Sequence, residues 1–372
     1  MIIEITIEPN YILDDNDICI LEKIAISHQE ASHLFICTPI NFELLHAQTK
    51  EIRLVGPSLL NIVKQSRQLL QVIEKVGFIA KVIFGKEKIN SRTEIDRKVI
   101  FKYSQHYISG SKELLPAIIL AENRTDACFY RELARVYSEF NFGKNFLFIN
   151  TEQVGGGGDT TSDEFEHLYN SYLFRPFYCI VDSDKAHPRQ GHIGKTAKGV
   201  MTKAEASPLL KFNFSILDMM ELENILPVKM IEEVNGNENK QQSKLYLKSL
   251  SNLYFMEKEK PELFFHSDLK EGVNFKKALE LDRSHGGFWL KEKWPTINDQ
   301  CLVDRICSCN PCCHIIRKGP SKLLEKSLEL VQTKSANDIK ETMPDYLWSV
   351  WCKYGEIVFS WGCARPNVRH VV

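Results

Sequence analysis

Acidic side chains close three separate apolar runs in this chain. The run 116–121 ends in Glu122, with Asp126 four residues further on, and the run 177–181 ends in Asp182-Ser183-Asp184. A third stretch closes on Asp218-Met-Met-Glu221-Leu-Glu223-Asn224. Short apolar runs between helical patterns read as buried parallel strands. In such sheets, ligands collect beyond the carboxyl ends of the strands. Carboxylates converging there repel one another unless a hard divalent cation, Mg²⁺ or Mn²⁺, lies among them. The chemistry that fits is phosphoryl transfer, in which a metal neutralises the charge that develops on phosphate oxygens.

These acids need a frame of alternating strands and helices, and residues 115–227 have that rhythm. Thr125 is expected to cap a helix to about Phe140. Residues 145–150, 178–181 and 212–217 read as strands, 155–158 as a flexible glycine turn, and 161–173 as a helix. Residues 1–110 read as a small α/β unit with no recognisable chemistry. In it, 50–55 is a strand, Pro57 opens a helix at its favoured first position, Gly77 ends that helix, and 78–84 is another strand. The stretches 85–97 and 104–113 are polar connections, and 232–243, rich in Asn and Gln, reads as an exposed loop. Residues 276–372 form a mixed extension rich in Cys and Trp. The expected fold class is therefore α/β, with a parallel sheet flanked by helices over 111–275, set between the N-terminal unit and that extension.

Composition narrows the function. The chain has 372 residues, enough for more than one domain. Its 47 Lys and Arg balance 48 Asp and Glu, so a polyanionic partner would need a local basic patch. No apolar run approaches the roughly 20 residues that span a bilayer. The opening residues alternate like a strand and lack the flanks of a signal peptide, so a cytoplasmic, membrane-independent protein is expected. There the eleven cysteines should be thiols or metal ligands rather than disulfides.

The segment Ile118-Ile-Leu-Ala-Glu122-Asn-Arg-Thr-Asp126 resembles the first motif of the TOPRIM fold, an apolar strand followed by Val-Glu-Gly and then Thr-Asp. Asn123 stands where that family prefers Gly. Val181-Asp182-Ser-Asp184 looks like the family's Asp-x-Asp motif. Glu221-Leu-Glu223-Asn224 is similar to the Glu-Asn element of its nuclease branch, the overcoming-lysogenization-defect type. The 155–158 glycine run and Asp268-Leu-Lys270-Glu-Gly272 also look like pieces of stand-alone TOPRIM effectors of bacterial antiphage defence systems. The resemblance covers residues 115–272. It implies a general acid/base or metal-binding role for Glu122, metal ligation by Asp182 and Asp184, and a second metal position completed by Asp126 and Glu223. The implied activity is Mg²⁺- or Mn²⁺-dependent hydrolysis of DNA or RNA, tRNA included. It would be toxic to the cell when activated, and a separate ATPase partner is expected because this chain has no P-loop. Gly191-His-Ile-Gly194-Lys195-Thr196 fails that motif, since Arg189 stands where the first Gly is required.

Three further features bear on chemistry. Residues 185–203 hold Lys185, His187, Arg189, His192, Lys195, Lys198 and Lys203 with no acid, a candidate track for a nucleic-acid backbone. Lys270, expected at a strand end, is placed to stabilise a leaving oxyanion. Cys301-x5-Cys307-x-Cys309-x2-Cys312-Cys313-His314 gathers soft ligands suited to structural Zn²⁺, with Cys307, Cys309, Cys312, Cys313 and His314 as candidates and Cys352 and Cys363 as distant ones. The paired tryptophans Trp348 and Trp351 fit core or subunit-interface packing better than base stacking. Two other readings compete with a nuclease: a nucleotide-sugar glycosyltransferase using Asp-x-Asp, and a degenerate TOPRIM domain that only binds. The glycosyltransferase leaves Glu122 without a role, as does a haloacid-dehalogenase phosphatase, which also uses Asp-x-Asp but prefers Thr or Val where Ala186 stands.

Overall fold

A computed structural model describes residues 1–95, 98–207, 212–236, 241–257 and 260–365. In chain order the elements begin β1 (Ile2–Ile7), α1 (Asp15–Gln29), β2 (Leu34–Cys37), α2 (Pro39–Thr49), α3 (Val55–Gln68), α4 (Leu70–Lys75), β3 (Phe78–Phe84), β4 (Asn90–Ile95) and β5 (Lys98–Ser104). Next come β6 (Ala117–Ala121), α5 (Arg124–Phe142), β7 (Phe148–Ile149), β8 (Thr151–Gly155), α6 (Thr161–Ser171), β9 (Phe177–Val181), α7 (Lys195–Glu205) and β10 (Phe212–Ile216). Then follow α8 (Val228–Gly236), α9 (Gln241–Glu257), α10 (Pro261–Phe265), β11 (Val273–Asn274), α11 (Phe275–His285), α12 (Asp299–Asp304) and β12 (His314–Ile316). The series closes with α13 (Leu323–Thr333), α14 (Ala336–Glu341), α15 (Asp345–Gly362) and β13 (Cys363–Ala364). Contacts divide the chain into two compact units. The first takes Met1–Cys179, Val200–Phe214 and Trp351 onward, and the second takes Ile180–Gly199 and Ser215–Val350.

The first unit carries two sheets. One has the order β2-β1-β3-β5-β4, parallel except for the antiparallel pair β4 and β5. Its interior strand β1 (Ile-Ile-Glu-Ile-Thr-Ile) is almost wholly buried, and its one acid, Glu4, is neutralised by Lys81 at 2.7 Å on the neighbouring β3. Two expectations change here. The expected strand 50–55 is instead a turn over 50–54 that runs into α3 at Val55: Ile52 N donates to Thr49 O and Gly56 N to Ile52 O, so the backbone is satisfied locally between two helices. The polar stretch 85–97 contains β4, whose exposed, charged face is what an edge strand presents to water. The helix after 55 breaks at Leu69 and ends at Lys75, just before the expected Gly77.

The second sheet has the order β10-β9-β6-β8, with β6 and β8 parallel. Every residue of β6 is buried. The strand beside it is not the apolar stretch 145–150. That stretch contributes only β7, which pairs antiparallel with β13, while Phe146 and Phe148 stay exposed. The sheet instead takes the more polar Thr151–Gly155, which suits an edge position. Helix α5 packs on β6 and β8 and buries Phe129, Tyr130, Leu133 and Val136. The latter half of α15 stacks on α5 through Trp351 on Phe129 and Phe359 on Tyr137. Gly355 permits that approach, since a Cβ there would lie 2.7 Å from Leu133 O.

In the second unit, α8 runs to Gly236 and α9 starts at Gln241, so the expected 232–243 loop is largely helical, and 237–240 lie outside the described residues. Met230, Ile231, Leu250 and Leu253 are buried and supply the apolar faces of α8 and α9. The short ribbon of β11 and β12 is antiparallel. Among the described residues no helix is long and apolar enough to cross a membrane.

Two buried histidines make the first unit acid-sensitive. Burial first, and the Arg365 guanidinium second, lower the pKa of His28 to about 3. Burial pushes His33 well below its usual value, and its Nε2 meets Leu115 O at 3.0 Å. Both rings are neutral when folded and protonate near 6.5 when unfolded. The unfolded state therefore binds more protons below that pH, and stability falls as pH drops below about 6.5, by at most about 1.4 kcal/mol per pH unit per ring. Melting temperature measured from pH 7 to 5 should fall steadily, and His28→Gln should flatten part of that slope.

Candidate functional site

Glu122 and Asp126 belong to the first unit. Strand β6 delivers Glu122 at its carboxyl end, and the glycine run fixes the backbone there. Gly157 N and Gly158 N both donate to Glu122 O, at 2.9 and 3.1 Å, and Gly156 N donates to Ala121 O. Gly157 and Gly158 take left-handed conformations, with φ of 76° and 65°. A Cβ on Gly155 would lie 2.5 Å from Arg124 N. The run is thus a fitted turn rather than a flexible one. It also explains why Asn123 serves where a glycine was expected: its φ is −126°, ordinary extended backbone, and it is the cap residue of α5 in place of Thr125. Asp126 completes that capping box, its Oδ2 accepting from Asn123 N at 3.0 Å.

Asp182, Asp184, Glu221, Glu223 and Lys270 belong to the second unit. Asp184 sits at φ 54°, a strained conformation that Asp tolerates better than most residues. Its N–H donates to Met220 O at 3.0 Å, and Ser183 Oγ donates to Met219 O at 2.6 Å. These bonds tie the Asp182–Asp184 loop to the chain just before Glu221. Gly194 N donates back to Ser183 O, and a Cβ on Gly194 would collide with the Asp184 carboxylate. The glycine of the failed P-loop pattern thus makes room for an acid.

Asn224 organises the next segment. Its Oδ1 accepts from Glu221 N at 2.9 Å, and its Nδ2 donates to Phe264 O and Ser267 O, both at 2.7 Å. Lys270 follows helix α10 on a turn rather than a strand end. Its Nζ lies 3.1 Å from Glu223 Oε2 and 3.7 Å from Glu221 Oε2. Burial pushes the Glu221 carboxyl up to about 7, against the opposing charge of Lys270 and with Glu223, Asp268 and Asp184 adding to the rise. Burial also opposes the Lys270 charge, yet Glu223, Glu221 and Asp182 together raise its pKa. Glu221 Oε2 is buried and accepts no hydrogen bond. Glu221 and Asp268 were visible only as parts of motifs; the signal for them was the double Glu and the Asp-x-Lys spacing.

The basic stretch divides. His187 is buried, its Nε2 donating to Gly286 O at 2.9 Å and its Nδ1 accepting from Arg189 N, which makes it a neutral anchor rather than a cation. His266 meets Lys185 O at 2.6 Å, and Trp289 Nε1 donates to Ala186 O. Lys185 is half-buried, whereas Arg189, Lys195 and Lys198 are exposed, the last two on α7.

The sulfur atoms of Cys301, Cys307, Cys309 and Cys313 all lie within 4.8 Å of one another and could hold a metal ion such as Zn²⁺. Cys301, carried by α12, replaces two sequence candidates. Cys312 is half-buried and lies outside this set of four, and His314 opens β12. Cys352 and Cys363 fall in the first unit, not with this cluster.

Removing the Lys270 ammonium should expose the cost of the buried acids. Lys270→Ala should destabilise the protein by about 1–2 kcal/mol, below the about 3–5 kcal/mol of a fully buried pair because half of this side chain meets water. Glu221→Gln in that background should restore part of the loss in a urea titration. No protein-family model, no curated protein and no solved structure matches the chain.

Proposed function

We propose that this chain is a divalent-metal-dependent nuclease that hydrolyses phosphodiesters in DNA or RNA. The observation that carries this reading is the buried acid pair in the second unit. Glu221 and Glu223 lie 3.7 and 3.1 Å from the Lys270 ammonium, Asp182 and Asp184 add to the charges felt there, and Glu221 Oε2 is buried and accepts no hydrogen bond. Such a set of hard oxygen ligands fits Mg²⁺ or Mn²⁺. Asp182, Asp184 and Glu223 are the residues that would hold the ion. When bound, it would neutralise charge on the phosphoryl oxygens and acidify a water.

The protein's own groups do the rest. Lys270, half-exposed beside Glu223, has an ammonium that can turn from the glutamates to a leaving oxyanion. Arg189, Lys195 and Lys198 offer exposed positive charge for a phosphate backbone. The TOPRIM resemblance assigns Glu122 a general acid/base role and Asp126 a share in metal binding. It also supplies the proposal that a separate ATPase activates the chain in antiphage defence.

Purified protein should cleave at least one of plasmid DNA, single-stranded DNA or total tRNA with Mg²⁺ or Mn²⁺, and not with EDTA. Glu122→Ala and Asp182→Ala should each lower the rate by about 10²-fold or more. Full activity in Glu122→Ala would favour a glycosyltransferase-type Asp-x-Asp site instead. Absence of both cleavage and calorimetric metal binding would leave a binding protein.

A further inference from the structure

We propose that Cys301, Cys307, Cys309 and Cys313 bind one Zn²⁺ as a tetrahedral thiolate site, and that this ion staples the turn that carries Asp268 and Lys270. Zinc–sulfur bonds near 2.3 Å set the edge of a regular sulfur tetrahedron at about 3.8 Å. Cys301 Sγ lies 3.7 Å from both Cys307 Sγ and Cys309 Sγ, too far for a disulfide and close to that edge. Four sulfurs within 4.8 Å suit a single ion, because an iron–sulfur cluster inserts further atoms between its thiolates and spreads them apart. Soft sulfur ligands in this geometry select zinc over the hard cations of the acidic cluster. Backbone support is present as well, with Cys313 N donating to Cys307 Sγ at 3.3 Å.

The link to the turn is short. From Cys313 the chain enters β12, and Cys313 O accepts from Phe275 N at 2.8 Å. Strand β12 pairs with β11, placing Ile316 opposite Val273. Gly272, at φ 79°, passes so close to β12 that a Cβ would lie 2.6 Å from Ile316 O. Gly319 N then donates to Lys270 O at 3.0 Å. Asp268 is held from the same side, its Oδ2 pairing with Lys277 of α11 at 2.8 Å. The strand leaving the sulfur cluster is therefore one wall of the Lys270 turn. The metal assignment stands independently of the nuclease reading.

The test is metal analysis and hydrogen exchange on the full chain purified under reducing conditions. About one zinc per chain is expected, and cobalt exchange should give the visible absorption of a tetrahedral thiolate site. Cys301→Ser and Cys309→Ser should lose most of the metal, while Cys312→Ser and His314→Ala keep it. Chelation should speed amide exchange in 268–274 by about tenfold or more while β6 is unchanged. Wild-type protein that binds neither zinc nor cobalt overturns the site. Retention in Cys301→Ser with loss in Cys312→Ser overturns the ligand set. Unchanged exchange after metal removal overturns the staple. If the serine variants do not fold, the wild-type cobalt spectrum and stoichiometry decide the metal assignment.

Discussion

Like charges at short range inside a medium of low polarisability dominate the second unit. Two glutamates separated by one residue, Glu221 and Glu223, are both largely buried, and Asp184 and Asp268 add to the field on Glu221. Coulomb repulsion there is several times stronger than in water. Hydrophobic burial alone would expel such groups. The segment stays because neighbouring backbone is spent on holding it: Asn224 bridges Glu221 N to two carbonyls, and the Asp184 N–H is fixed to Met220 O. Lys270 brings an ammonium to the two glutamates, on a turn whose shape β12 enforces. The neighbouring loop then needs anchors of its own, and His187, His266 and Trp289 provide them with hydrogen bonds rather than charge.

Much of this was legible in the residues, and the failures have physical causes. Fully buried strands such as β6 and β9 declare themselves by unbroken apolar runs, and the acids at their ends follow. Edge strands do not. Strands β4 and β8 are polar because one side of each faces water, so they read as connections, while the apolar run beside β8 reads as the strand. The Asn at 123 looked like a departure, since a glycine was expected for its backbone freedom. In the fold that freedom sits across the turn, at Gly157 and Gly158, where sequence spacing alone cannot assign it. The cysteine cluster was found by composition, but its membership was not. Cys301 lies on a helix six residues before Cys307 and joins through the fold, while adjacent Cys312 and His314 are not among the four.

The second unit holds two groups of side chains of opposite character, the acids around Lys270 and the four clustered cysteines. Carboxylate oxygens are hard, poorly polarisable donors, and thiolates are soft ones. Any cation that either group met would be discriminated by that chemistry. The strand between them, β12, touches the sulfur cluster at one end and the Lys270 turn at the other.

The first unit is assembled from segments far apart in the chain. Met1 N donates to Cys363 O at 2.9 Å, β7 pairs with β13, and Trp361 stacks on Phe78 at 4.3 Å between ring centroids. A ribosome that has finished β1 through β9 has therefore not yet made the residues that close their core. Until residue 363 emerges, the faces that Trp351, Phe359 and Trp361 will cover remain wet, and the nascent chain carries exposed apolar surface up to that point. Folding of this unit therefore waits on residues far along the chain, whatever chemistry the finished protein performs.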